Sequence, residues 1–320
     1  MLHLRLFCPA DRTDDVLGLL TANPGAFNVM VLPGAALAPA GDVVMCDVAR
    51  ESVNHVITGL RDLGVHRDGS IAAEHIDVSI SDVALAADLQ APGEGGDAAV
   101  WEEVDARVRD ESRMTASFLV FLVIAALIAI VGVIEDAPIL IVGAMVVGPE
   151  FGPIAGLSVG LFKRRGHRIR QAGTTLAAGL AAGVVAAFLG TLVLDAVDLI
   201  PPDLVPHDQP LTGFIVDPSV LSLVVALLAG VTGTLSLTQA KSGALIGVLI
   251  SVTTIPAVAA IGVSSALGKW SDAGGAAVQL AVNVGALVAA GVVTLWVQWV
   301  AWNRIAPSRP TTAPHQLWRT

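Results

Sequence analysis

Residues 141–156 read IVGAMVVGPEFGPIAG and residues 245–262 read LIGVLISVTTIPAVAAIG, and the interruptions inside these two apolar runs decide how the chain folds. Pro149, Pro153 and Pro256 each lack a backbone donor and crowd the preceding turn, so a helix should kink or unwind at each of them. Both runs are long enough to cross a hydrocarbon core, which puts the interruptions near its centre. Unpaired backbone groups at that depth are tolerated only inside protein or beside a water-filled cavity. The half-helices beyond Pro153 and Pro256 are expected to aim their N-terminal N–H groups at the midplane, offering partial positive charge. Ordinary kinks repaired by neighbouring helices are the plainer alternative for either run taken singly.

Working outward, four further apolar segments flank these two, giving six spans at about 116–134, 139–162, 172–200, 218–238, 243–267 and 274–300. Lys163, Arg164, Arg165, Arg168 and Arg170 lie between the second and third spans, whereas 201–217 has no Lys or Arg. Basic loops stay cytoplasmic, and Lys241, Arg304, Arg309 and Arg319 fall on the same side, so both termini are expected in the cytoplasm of a cell with this chain in its inner membrane. Trp296, Trp299 and Trp302 suit an interfacial belt at the end of the sixth span. Three spans entering from one side and three from the other make a 3+3 inverted repeat, with the second and fifth spans broken. The very short loops Glu135–Ala137 and Gln239–Ser242 match in position, and Gly143 faces Gly247 while Pro153 faces Pro256 with a one-residue gap.

The front of the chain is different. Of 320 residues, 54% are apolar and 14% charged, with a net charge of −10. The mean hydropathy is +0.73. Yet residues 1–113 alone carry 8 Lys/Arg against 19 Asp/Glu. That acidity argues against nucleic-acid binding and against adhesion to an anionic membrane surface. The opening MLHLRLFCPADR lacks a basic leader and a long apolar core, so no signal peptide is expected. Strands are expected at Leu2–Cys8, Phe27–Leu32, Asp42–Val48 and His75–Ile80, with helices from Asp11 to Leu20 and over Glu51–Leu63. Strand, helix, strand, strand, helix, strand is the order of the α+β ferredoxin-like sandwich. Cys8 and Cys46 have no CxxC spacing and read as reduced thiols, and His3, His55, His66 and His75 show no ligand spacing, so neither metal nor cofactor is expected. Residues 1–87 form this cytosolic domain, and 88–115 hold a Gly-rich hinge and a connector helix marked by Trp101, Val104, Val108 and Met114. The membrane domain is 116–303 and the tail 304–320.

Glu150 is the sharpest single residue. An ionisable group at mid-bilayer costs roughly 2.5 kcal/mol or more on insertion scales, so it should face the bundle interior as a proton carrier or cation ligand. A protonated carboxyl merely hydrogen-bonded within the bundle is the alternative. Gly148, Pro149, Gly152, Pro153, Thr253, Thr254 and Pro256 surround the two breaks, and Gln279 and Asn283, one turn apart on the sixth span, could line a path to them. Hydroxyls such as Thr232, Thr234, Ser236, Thr238 and Ser251 more often bond their own helix. Gly152/Gly156/Gly160, Gly179/Gly183 and Gly243/Gly247 have the spacing of close helix contacts, which fits a homo-oligomer.

On GAMVVGPEFGPIAGLSVGL (143–161) and TLSLTQAKSGALIGVLISVTTIPAVAAIGVSSALG (234–268), the chain resembles the prokaryotic hydrophobic membrane proteins filed as domain of unknown function 389. The resemblance covers roughly 114–303. In that family the first break reads nearer to S-P-L-x-G-P and the second nearer to V-P-P, so Gly148, Glu150 and Ile255 depart from it, while Pro149, Gly152, Pro153 and Pro256 match. The resemblance implies no substrate or activity. The reading favoured by the residues is a secondary transporter or channel-like permease for a small solute or ion, proton-coupled through Glu150 and regulated by the cytosolic domain. A membrane-anchored sensor or scaffold is the alternative, a cation-efflux protein is disfavoured by the absence of paired His/Asp ligands, and an intramembrane enzyme is not expected because no catalytic constellation accompanies Glu150.

Overall fold

The computed structural model describes residues 1–76, 78–91, 100–202, 204–215, 219–238 and 254–305. The hinge residues 92–97, the loop Gln239–Ser242 with Lys241, Gly243, Gly247, Ser251, Thr253, and the tail residues Arg309 and Arg319 lie outside this range. The chain divides into two compact units, one of Met1–Glu103 with the helix end from Trp299, the other of Val104–Gln298.

In the first unit, β1 (Leu2–Cys8), α1 (Thr13–Thr21), β2 (Ala26–Leu37), β3 (Ala40–Val48), α2 (Arg50–Asp62), α3 (Val65–Asp68), β4 (Ser70–His75) and α4 (Asp82–Gln90) follow in order. The sheet runs β2-β3-β1-β4, with every pair antiparallel. Alternation along β1 turns Leu2, Leu4, Leu6 and Cys8 inward, against Val16 and Leu20 of α1 and Val53, Val56 and Leu60 of α2. Fully burying each such side chain is worth about 1.5–3 kcal/mol, which is what joins helices to sheet. Cys8 and Cys46 are free and buried, and burial, with the charge of Asp47 adding to it, pushes the Cys46 thiol up to about 12. Asp42 accepts from Thr13 Oγ1 at 2.7 Å and from the Gly34 N–H at 2.8 Å, which together hold its carboxyl below the usual range.

The last strand is not His75–Ile80. It lies earlier, at Ser70–His75, in register with β1 from Leu2↔His75 to Phe7↔Ser70, and Val78 and Ile80 are 77% and 97% exposed. Gly69 allows the strand to start there, because a Cβ would lie 1.9 Å from the Phe7 carbonyl oxygen. Alternation favours the later window, but pairing with β1 takes the earlier one. Residues 88–90 of the expected hinge are the end of α4. The connector is α5 (Trp101–Glu111), with Val104 and Val108 buried but Met114 48% exposed, so Met114 does not continue its apolar face.

The second unit is helical: α6 (Ala116–Ile134), α7 (Pro138–Val147), α8 (Phe151–Phe162), α9 (Gly166–Ala196), α10 (Val220–Thr238), α11 (Ile255–Ala266) and α12 (Trp270–Ile305), with single turns at Pro206–Asp208 and Gly213–Ile215. Among the described residues α6, α9, α10 and α12 are each long and apolar enough to cross a membrane, and α7 with α8, bent by 59° at their break, make a fifth candidate. These helices mark a multi-pass membrane protein. Of the expected span 243–267, only the part from Thr254 is described, and it forms the short apolar α11. Small residues turn inward, as along α6, where Ala125, Ala126 and Ala129 are buried while Val120, Phe121 and Ile124 are exposed.

Element positions recur with one spacing. Helices α6 and α10, α8 and α11, α9 and α12 start at Ala116 and Val220, Phe151 and Ile255, Gly166 and Trp270, each pair 104 residues apart, the separation also of Glu150 and Thr254. Their caps recur with it. Thr115 Oγ1 accepts the Phe118 N–H at 3.1 Å, and Ser219 Oγ accepts the Ser222 N–H at 3.0 Å. After α8 the Arg165 N–H donates to the Gly160 carbonyl at 2.9 Å, and after α11 the Lys269 N–H donates to the Ser264 carbonyl at 2.7 Å.

Candidate functional site

The first break occupies Gly148-Pro149-Glu150. Helix α7 closes with the Gly148 N–H on the Ala144 carbonyl at 3.1 Å, and α8 opens with the Ile154 N–H on the Glu150 carbonyl at 3.3 Å. The half-helices do not start after Pro153 and Pro256 as the sequence suggested. Pro153 is the third residue of α8 and Pro256 the second of α11. A first-turn N–H has no intrahelical partner, so proline costs nothing there and starts a helix as readily as it ends one.

Glu150 and Thr254 are the residues immediately before α8 and α11, and they meet. Thr254 Oγ1 donates to Glu150 Oε1 at 2.7 Å, with Glu150 1% and Thr254 0% exposed. The Glu150 side chain makes no cap bond to its own helix and instead reaches across to the residue that precedes α11. A buried carboxyl is tolerable only when hydrogen-bonded, and this bond supplies a partner at the convergence of two helix N-termini, whose dipoles favour negative charge. Gly148 makes the approach possible, since a Cβ on it would lie 2.4 Å from Glu150 Oε2 and 2.9 Å from Ile255 Cγ1.

The remaining expected residues are placed as follows. Gly152 packs against the end of the connector, where its carbonyl accepts from Ser112 Oγ at 3.0 Å and a Cβ would lie 2.5 Å from the Glu111 carbonyl oxygen. Gln279 and Asn283, 4% and 1% exposed, face each other on α12, with Gln279 Nε2 donating to Asn283 Oδ1 at 3.1 Å. Thr232 and Thr238 bond carbonyls of their own helix, as expected of such hydroxyls. Thr253 falls outside the described residues.

A cleft of about 370 Å³ reaches the first break, lined among others by Asp110, Glu111, Arg113, Phe118, Phe121 and Pro149. Burial pushes the Glu111 carboxyl up, partly countered by Arg107, whose Nε lies 3.9 Å from Glu111 Oε1. Sequence reasoning read α5 only as a connector helix and did not single out Glu111. The signal that could have found it was a carboxylate pair directly before a membrane span. At the far end of α8, Asp105 holds Lys163, Arg165 and Arg168, each at 2.9 Å, so one connector carboxylate gathers most of the basic loop. Among the described residues no group of three His, Cys, Asp or Glu could hold a metal ion.

Apolar spanning helices, a bent half-helix pair and a carboxyl buried at the break define a polytopic membrane protein with a polar core site. Residues 145–289, which include both breaks, match the family described as "Domain of unknown function (DUF389)", the family its motifs resemble. An uncharacterized protein of Methanocaldococcus jannaschii is 24% identical over 192 residues, 60% of this chain and 57% of that protein. The chain therefore spans little more than half the length of that curated relative. No solved structure matches.

Proposed function

We propose that the protein is a permease for a small solute or ion in the inner membrane, with its site at the two helix breaks and a proton carried by Glu150. The observation that carries this reading is the Thr254–Glu150 hydrogen bond of 2.7 Å, which joins the residues preceding α8 and α11 at one buried carboxyl. Proline kinks without a role have no reason to converge on an ionisable group, whose burial is costly in lipid. An anion would be opposed by ionised Glu150 and accepted by the two helix N-termini once Glu150 is protonated, so loading with a proton follows.

Six spans in a 3+3 inverted repeat fit the common 104-residue spacing of helix starts, caps and breaks. Packing supports it as well. A Cβ on Gly291 of α12 would lie 2.6 Å from Ser158 Oγ of α8, and one on Gly262 of α11 would lie 2.4 Å from Ala187 Cβ of α9, the same pair of positions with the halves exchanged. The strand order β2-β3-β1-β4 supports a ferredoxin-like sandwich, which we assign to the cytosol as a regulatory domain, with both termini on that side and small-residue faces available for homo-oligomers. Proteoliposomes loaded with a pH-sensitive dye, given sodium, potassium, magnesium, chloride, phosphate or acetate in turn, test the reading. One of these should drive a dye response that Glu150→Gln abolishes. A response untouched by the substitution, or none above empty liposomes, refutes it.

A further inference from the structure

The cleft reaching the first break is matched, on the 104-residue spacing, by a set of positions in the second half. Moving its walls by the 104-residue spacing takes Phe118 to Ser222, Phe121 to Val225, Phe151 to Ile255 and Glu111 to Ile215. The pair beside the breaks differs in exposure: Phe151 is half-buried in the wall of the open cleft, whereas Ile255 is 0% exposed. Ile255 shares one apolar cluster with Ile200, Leu204 and Ile215, so the segment 204–215 stoppers the second mouth where the first has Glu111. Two charged residues hold the stopper down. Asp136, in the turn between α6 and α7, accepts from the N–H of Leu211 at 3.2 Å and from the N–H and Oγ1 of Thr212 at 2.9 and 2.8 Å. The Lys269 ammonium donates to the Leu204 carbonyl.

We propose that residues 204–215 form a strap over a second cleft, walled by Ser222, Val225 and Ile255, which reaches the Glu150–Thr254 pair from the opposite membrane face and opens as the first closes. This rests on the permease reading. Two halves built to one plan can exchange conformations, because each already has a packing solution that the other displays. An apolar stopper pinned by Asp136 and Lys269, against an open acidic mouth, biases the pair toward the arrangement seen here.

The test uses the full chain with Cys8→Ser and Cys46→Ser in liposomes, carrying Phe151→Cys or Ile255→Cys, and a charged, membrane-impermeant maleimide applied to each face. Phe151→Cys should be labelled from one face only and Ile255→Cys from the other only. Adding Asp136→Asn and Lys269→Gln should raise labelling at 255 about tenfold and lower it at 151, as a shift between two states requires. Labelling of both positions from one face, no labelling at 255 from the opposite face, or rates at 151 and 255 that rise together would overturn the proposal. Face dependence is read with the strap intact, so the result stands even where the strap variant fails to fold. Dye-reported flux in the cysteine-free parent separates the two readings: Glu150-dependent flux with same-face labelling removes only the second cleft, and absent flux with opposite-face labelling removes the permease.

Discussion

Replacing Gly148 by alanine tests whether the two breaks are held together. Gly148 has φ −65° and ψ 128°, a conformation alanine adopts freely, so in open space the change would stabilise by about 0.4–1 kcal/mol through the unfolded chain. Here the new methyl would lie 2.4 Å from Glu150 Oε2 and 2.9 and 3.1 Å from Ile255 Cγ1 and Cδ1. Ile255 is fully buried and cannot swing away. Overpacking of this kind costs about 1–3 kcal/mol. Displacing Glu150 from Thr254 forfeits a buried hydrogen bond worth a further ~1–3 kcal/mol. The expected net loss is about 1–5 kcal/mol, read by SDS titration in mixed micelles. Thr254→Val removes the same hydrogen bond, so the double variant should fall short of the summed costs by about 1–3 kcal/mol. A neutral or stabilising Gly148→Ala, or costs that add, would show the two breaks to be apart and refute the reasoning.

Two further outcomes concern the first unit. Glu51 is 3% exposed, and burial raises its pKa, against the opposing pull of its own backbone N–H and with the charge of Asp88 adding to the rise. A carboxyl raised in the folded state keeps its proton where the unfolded chain has lost it, so stability falls as pH rises through that window. Glu51→Gln should therefore raise the melting temperature at pH 7–8 and flatten its pH dependence, and a lower melting temperature would contradict this. Cys46 is lifted from 9.0 to about 12, so iodoacetamide at pH 8 should leave it unmodified until denaturant is added. Prompt modification of the folded protein would contradict its burial.

What the sequence could convey was local. Span 116–134 and strand Leu2–Cys8 were legible to the residue, because an uncharged apolar run and a strict alternation each have one reading. The final strand was not, since His75–Ile80 alternates strictly and Ser70–His75 does not, yet pairing with β1 selects the latter. Proline announced the first break at Pro149 but misplaced the helix starts, which precede Pro153 and Pro256, as it signals an ended helix and a starting one alike. Glu150 stood out by its cost in lipid and Thr254 by its place beside the second proline, whereas their meeting could not be read, because it joins residues 104 positions apart. The connector carboxylates and the strap needed the fold, since what brings Glu111 to Gly152 or Asp136 to Thr212 is contact between segments far apart in the chain.

The bond across the breaks is chemically lopsided: the positions correspond, yet one partner is an acid and the other an alcohol that holds its hydrogen at any physiological pH. Two acids there could shuttle a proton between themselves and leave the total ambiguous. Under the permease reading, one acid there limits coupling at this point to a single proton for each chain per cycle, and a membrane voltage of about 100 mV would then contribute about 2.3 kcal/mol to each turn of the cycle. Accumulation of solute would then be bounded by one proton's worth of driving force.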